Sequence, residues 1–124
     1  MVAVDTSTLI AFIQGKNGAD VERLDAGLAS GDIALPPVVL SEILSEPALP
    51  EPHRALVLRL PMAEITDGYW IRTAATRAKV LAKKLRARLP DALIAQSCID
   101  NDLTLITRDQ DFRHFAKHCG LRIA

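Results

Sequence analysis

Acidic residues carry the chemistry available to this sequence, and the most suggestive of them share a local setting. Asp5 follows the β-branched stretch Val2-Ala3-Val4 and precedes the hydroxyl cluster Thr6-Ser7-Thr8. Asp109 repeats that arrangement after Leu103-Thr104-Leu105-Ile106-Thr107, with Asp111 close behind it. Asp91 stands after Pro90 at the head of the apolar run Ala92-Leu93-Ile94-Ala95. Glu42 sits within Leu40-Ser41-Glu42-Ile43-Leu44, where a helical wheel of about 100° per residue sets it between Val38 and Val39, along the apolar side. A glutamate on that side needs a partner. Taken singly, each aspartate reads as a helix cap or a first-turn charge, since a carboxylate there accepts from free N–H groups. Gathered within a few ångströms, the same acids would repel, and their pKa values would rise unless a cation compensated them. Only hard oxygen ligands are offered, which suits Mg²⁺ or Mn²⁺. His53, His114, His118 and the two cysteines, Cys98 and Cys119, form no zinc pattern.

The elements that would gather these acids alternate between strand and helix. After the first strand, Leu9 to Ile13 reads as helix, broken by Gly15-Lys16-Asn17-Gly18, and a second helix runs from about Ala19 to Leu28. Ile33-Ala34-Leu35 is a short strand stopped by Pro36-Pro37, and Val38 to Ser45 a helix started by Pro37. Leu56, Val57 and Leu60 mark a short helix, and Ala63-Glu64-Ile65 reads as a further strand. Leu103 to Thr107 is the clearest strand after the first, a short helix through Phe115 follows, and Leu121-Arg122-Ile123 can add an edge strand. The pattern predicts an α/β fold with a mainly parallel central sheet and helices on both faces. Such a sheet puts all strand carboxyl ends on one edge, so Asp5 and Asp109 approach each other if their strands are neighbours.

The longest predicted helix, about Gly68 to Arg88, carries Arg72, Arg77, Lys79, Lys83, Lys84, Arg86 and Arg88 with no acid between Tyr69 and Leu89. Ile71, Ala74, Ala78, Leu81, Ala82 and Leu85 share an arc expected to pack inward. Across the whole chain of 124 residues the 15 lysines and arginines balance the 15 acids, so no global field announces a polyanionic partner. A local basic element is what would draw one. The length fits one domain over residues 1–124, and the composition, 49% hydrophobic, argues against disorder. No apolar run approaches the roughly 20 residues a membrane-spanning helix needs. Unpaired cysteine spacing without a leader segment predicts reduced thiols and a cytoplasmic protein.

Val4-Asp5-Thr6-Ser7, Leu40-Ser41-Glu42-Ile43-Leu44, Asp91-Ala92-Leu93-Ile94-Ala95 and Leu105-Ile106-Thr107-Arg108-Asp109-Gln110-Asp111-Phe112, in this order and spacing, resemble a PIN domain, specifically a VapC-type toxin ribonuclease. The resemblance spans the whole chain and implies a PIN-like three-layer fold. It implies that Asp5, Glu42, Asp91 and Asp109 form the catalytic metal pocket, with Asp111 as an outer or second-metal ligand and Ser7 and Thr107 as supporting hydroxyls. Mg²⁺ or Mn²⁺ would be the cofactor and RNA the substrate, cut to leave a 5′ phosphate and a 3′ hydroxyl. Arg72, Lys79, Lys83, Lys84, Arg86 and Arg88 would hold the RNA backbone. The resemblance further implies a homodimer and a VapB-type antitoxin whose C-terminal segment covers the pocket, for which an arginine-bearing peptide is suited. One alternative is a PIN-fold module that binds RNA or protein with weak or no nuclease activity. A more distant one is a phosphoacceptor receiver, which needs an aspartate pair after the first strand and a lysine after the last main one. Here Asp5 is alone and Arg108 stands before the acid. A haloacid-type phosphatase would want an aspartate where Ser7 stands.

Overall fold

The computed structural model describes residues 1–124. At its centre, β1 (Val2–Val4) pairs in parallel with β2 (Ile33–Ala34) on one side and β3 (Thr104–Ile106) on the other, giving the order β2-β1-β3. Ala3, Val4, Leu105 and Ile106 are buried, as strands covered on both faces require. The helices are α1 (Thr6–Ile13), α2 (Ala19–Ser30), α3 (Pro37–Leu44), α4 (Glu51–Arg59), α5 (Tyr69–Ala82), α6 (Leu89–Asp100) and α7 (Phe112–Cys119). The first connection, through α1 and α2, moves to one side of β1. The second, through α3 to α6, crosses back to the other. With the right-handed crossovers that parallel strands favour, the two sets fall on opposite faces, and the chain has the α/β fold its pattern predicts. Because the strand order reverses across β1, the crevice beyond its carboxyl end is where such folds open a site.

Several expected elements differ. Ala63 to Ile65 forms no strand; only Met62 bridges to Leu35. The side chain of Asn101 occupies the ladder positions instead, accepting from Glu64 N–H at 3.2 Å and donating to Glu64 O at 3.0 Å. The segment around Ile123 contributes one parallel bridge, to Leu105. The long basic helix stops at Ala82: Lys84 takes φ 59°, and Leu85 N–H folds back onto Val80 O. Ala87 is then buried, its carbonyl accepting from Arg77 Nε at 2.8 Å. Lys83 to Arg88 thus form a loop that delivers its arginines toward the carboxyl edge of the sheet.

The packing face of α5 is also turned from expectation. Tyr69, Thr73 and Val80 are buried, whereas Ile71 is 78% and Trp70 66% exposed, and Ala74, Ala78, Leu81 and Ala82 lie on the same outer side. The inward polar groups are satisfied: Tyr69 Oη donates to Leu93 O at 2.6 Å, Thr73 Oγ1 to Tyr69 O, and Thr76 to the buried Gln96. Both cysteines are free thiols, and burial pushes that of Cys98 up to about 12.

Candidate metal centre

Asp5 leaves β1 at the centre of the carboxyl edge with its backbone N–H still paired to Ile106 O. Its side chain is 2% exposed and accepts from Ser7 Oγ at 2.8 Å, Thr8 N–H at 3.1 Å and Thr107 Oγ1 at 2.7 Å. The Thr8 bond is the N-cap of α1, so Asp5 caps that helix, and it also lines the cleft described below. Thr107 Oγ1 also accepts from Asp109 N–H at 3.0 Å, so one hydroxyl fixes the spacing between the acid after β1 and the acid after β3.

Asp91 lies in the first turn of α6, where Arg88 is the N-cap residue, and makes no capping bond. It is 6% exposed and leans on Arg88 instead. Asp109 Oδ1 accepts from Asp111 N–H at 2.9 Å, a local turn that presents both acids to Asp91. Asp91, Asp109 and Asp111 each bring one oxygen to within 4.8 Å of the others. Glu42 corrects the wheel: it is exposed, because α3 ends at the rim of the cleft, and its carboxylate accepts from Thr6 Oγ1 at 2.7 Å. Asp5, Thr6, Ser7, Ile10, Glu42, Arg88, Asp91, Ile94 and Asp109 line one small cleft. Four of the five acids suggested by sequence, Asp5, Glu42, Asp91 and Asp109, thus share a cleft, and the tight cluster is Asp91 and Asp109 with Asp111.

The electrostatics of the cluster suit a cation. Burial raises the Asp5 and Asp91 carboxyls above their ordinary range, and the negative charge of Asp109 adds to both. Every side chain of the cluster offers hard carboxylate oxygens, the donor set of Mg²⁺ and Mn²⁺. Of the expected RNA contacts, Arg72 is committed elsewhere: it grips Asp100 at 2.7 Å and reaches Thr66 Oγ1 and Asp67 O. Arg86 and Arg88 point to acids of the cleft, while Lys79, Lys83 and Lys84 are exposed without ion pairs.

One support of the site has no local sequence signal. Arg108, between Thr107 and Asp109, donates to Asp20 of α2 at 2.7 and 3.0 Å and to Asn17 O, and Thr8 Oγ1 donates to the same carboxylate. This pair ties the loop after β3 to the loop before α2. It leaves no space for a side chain at position 18, where a Cβ would stand 2.5 Å from Asp20 Oδ1. The Arg108 guanidinium holds the Asp20 carboxyl down to about 2. An acid with a depressed folded pKa contributes stability that is present above its unfolded value and lost as pH falls through the folded one. Asp20→Asn is accordingly expected to cost about 2 kcal/mol at pH 7, with wild type losing that advantage between about pH 4 and 2. Urea denaturation across that range checks it; parallel stability curves for the two proteins would contradict the pairing.

A family model described as PIN domain matches residues 2–118. No match was found among curated proteins. Among solved structures, a chain from the crystal structure of VapBC2 from Rickettsia felis bound to a DNA fragment from their promoter superposes with a TM-score of 0.75 at 19% identity, covering 100% of this chain and 98% of that one.

Proposed function

The chain belongs to the PIN-domain family, and on that premise we propose that it is a metal-dependent endoribonuclease, the toxin of a VapC-type toxin–antitoxin pair. The observation that carries the reading is the acid cluster Asp91, Asp109 and Asp111 at the carboxyl edge of the sheet, backed by buried Asp5 and rimmed by Glu42. Asp91, Asp109, Asp111 and Asp5 are the residues that would hold Mg²⁺ or Mn²⁺. A bound ion supplies an acidified water and neutralises charge on the phosphate. The protein's own groups do the rest. Ser7 and Thr107 keep Asp5 oriented, Thr107 sets its distance from Asp109, and Glu42, exposed and hydrogen-bonded to Thr6, would complete the acidic set at the rim. Lys79, Lys83 and Lys84 offer charges for the RNA backbone.

A groove of about 510 Å³ lined by Ile10, Ile13, Ile43 and Leu49 shares Ile10 and Glu42 with the acidic cleft, so an amphipathic antitoxin segment could lie in it and reach the acids. Arg88 demonstrates that a guanidinium fits among them. The exposed apolar side of α5, from Trp70 to Ala82, supports a homodimer. A cytoplasmic location accompanies this reading.

The test is RNA cleavage by the purified chain in Mg²⁺, in EDTA, and after Mn²⁺ is restored. Cleavage is expected with either metal and absent in chelator, with 5′ phosphate ends. Cleavage that persists in EDTA would overturn the metal mechanism, and binding of RNA without cleavage in any metal would favour the inactive binding module.

A further inference from the structure

Arg88 stands among the acids that would hold the metal. Its Nε is 3.3 Å from Asp91 Oδ2 and its terminal nitrogen 3.3 Å from Asp109 Oδ2, while Arg86 Nε is 3.6 Å from Asp111 Oδ2. Every acid of the cluster therefore faces an arginine from the loop between α5 and α6. These are the longest ion pairs between side chains in the molecule. Arg72 with Asp100 and Arg108 with Asp20 close to 2.7 Å, and each donates through two nitrogens. A well-made N–H···O⁻ bond spans about 2.7–2.9 Å. Arg88 divides itself between two carboxylates and grips neither closely.

Its backbone and its head behave differently. Arg88 O accepts from Ala92 N–H, and the neighbouring Ala87 is buried with its carbonyl bonded to Arg77, so the main chain is fixed. The side chain is 50% exposed, and the guanidinium has open solvent to move into. Carboxylates this close need a cation in the metal-free protein, or one of them must take a proton. Arg88 supplies that charge. A divalent ion carries twice the charge and approaches carboxylate oxygens to about 2.0–2.1 Å, so the two cannot share the same oxygens.

We propose that Arg88 is a built-in counter-cation that competes with the divalent metal for Asp91 and Asp109, so that metal binding expels its guanidinium to the mouth of the cleft. The inference rests on the metal-centre reading above. It makes metal affinity a balance that this residue sets, and it couples metal uptake to the release of a free cation where an RNA phosphate would arrive. Arg86, 65% exposed and farther from its acid, is the weaker member of the pair.

Calorimetric Mn²⁺ titration of the full chain, with thermal melts in EDTA and in saturating Mn²⁺, tests it on wild type, Arg88→Gln and Arg86→Gln. Arg88→Gln is expected to bind Mn²⁺ at least about five-fold more tightly, the low end of ordinary coupling between competing ligands. It should melt below wild type in EDTA, with the gap closing in Mn²⁺. Arg86→Gln should shift both readings less. Equal or weaker Mn²⁺ binding by Arg88→Gln, or an equal loss of melting temperature with and without metal, assigns Arg88 a purely structural role and overturns the inference while leaving the metal centre standing. Absence of Mn²⁺ binding in all three proteins overturns the metal centre and the inference with it.

Discussion

Asp5→Asn is expected to lower RNA cleavage by on the order of 100-fold or more while leaving the fold intact. The substitution is close to isosteric, and the surroundings accept it. Oδ1 can keep its bonds from Ser7 and Thr8, and the new amide can donate to Thr107 Oγ1 where Asp5 Oδ2 now accepts. What disappears is the negative charge that backs the acid cluster. Burial raises the Asp5 carboxyl above its ordinary value of 3.8. A folded acid raised in this way takes stability away as pH climbs from the unfolded value through the folded one. Neutral asparagine removes that penalty, so at pH 7 the variant should melt at or above wild type, and the difference should vanish below about pH 3.8. Loss of cleavage with gain of stability is the signature of a residue kept for chemistry. Intact cleavage by a folded variant would place the activity in a contaminant and remove Asp5 from the site.

What could be read from the sequence was local. Strand, acid, helix is a pattern confined to a few residues, and it located Asp5 and Asp109 because parallel strands end on one edge whatever the details of their packing. What escaped depended on partners far along the chain. Arg72 reads as an RNA contact until Asp100 meets it from the end of α6, and nothing near Arg108 in the sequence signals its pairing with Asp20 of α2. The wheel for α5 chose the wrong face because Tyr69 and Thr73 bury hydroxyls that find acceptors in Leu93 and Tyr69 carbonyls, and a wheel weighs side chains without seeing such acceptors. The end of α5 carried no glycine or proline, since Lys84 itself adopts the left-handed turn. For Glu42 the wheel was sound about direction and silent about depth: the helix points it toward the cleft, and the cleft is open there.

Phe115→Ala is expected to be the most destabilising single truncation close to the site, at about 3–5 kcal/mol. Phe115 is fully buried on α7, its ring centroid 6.2 Å from that of Phe112, and its carbonyl accepts from the N–H of buried Leu121. Removing the ring leaves a cavity that a short helix between two fixed ends can fill only in part. The effect reaches the chemistry through the chain itself. Asp109 and Asp111 lie in the few residues joining β3 to α7, so a loosened α7 releases the turn in which Asp109 Oδ1 holds Asp111 N–H. Urea denaturation should show the stability loss, and Mn²⁺ binding by the folded fraction should weaken in parallel. Trp70→Ala is the control: it removes a larger ring that is 66% exposed on α5 and should change monomer stability by no more than about 0.5 kcal/mol. A Phe115→Ala loss under about 1 kcal/mol would mean that α7 is an appendage to the cooperative core, and the acids of its leading loop would then have to be positioned from β3 and Arg108 alone.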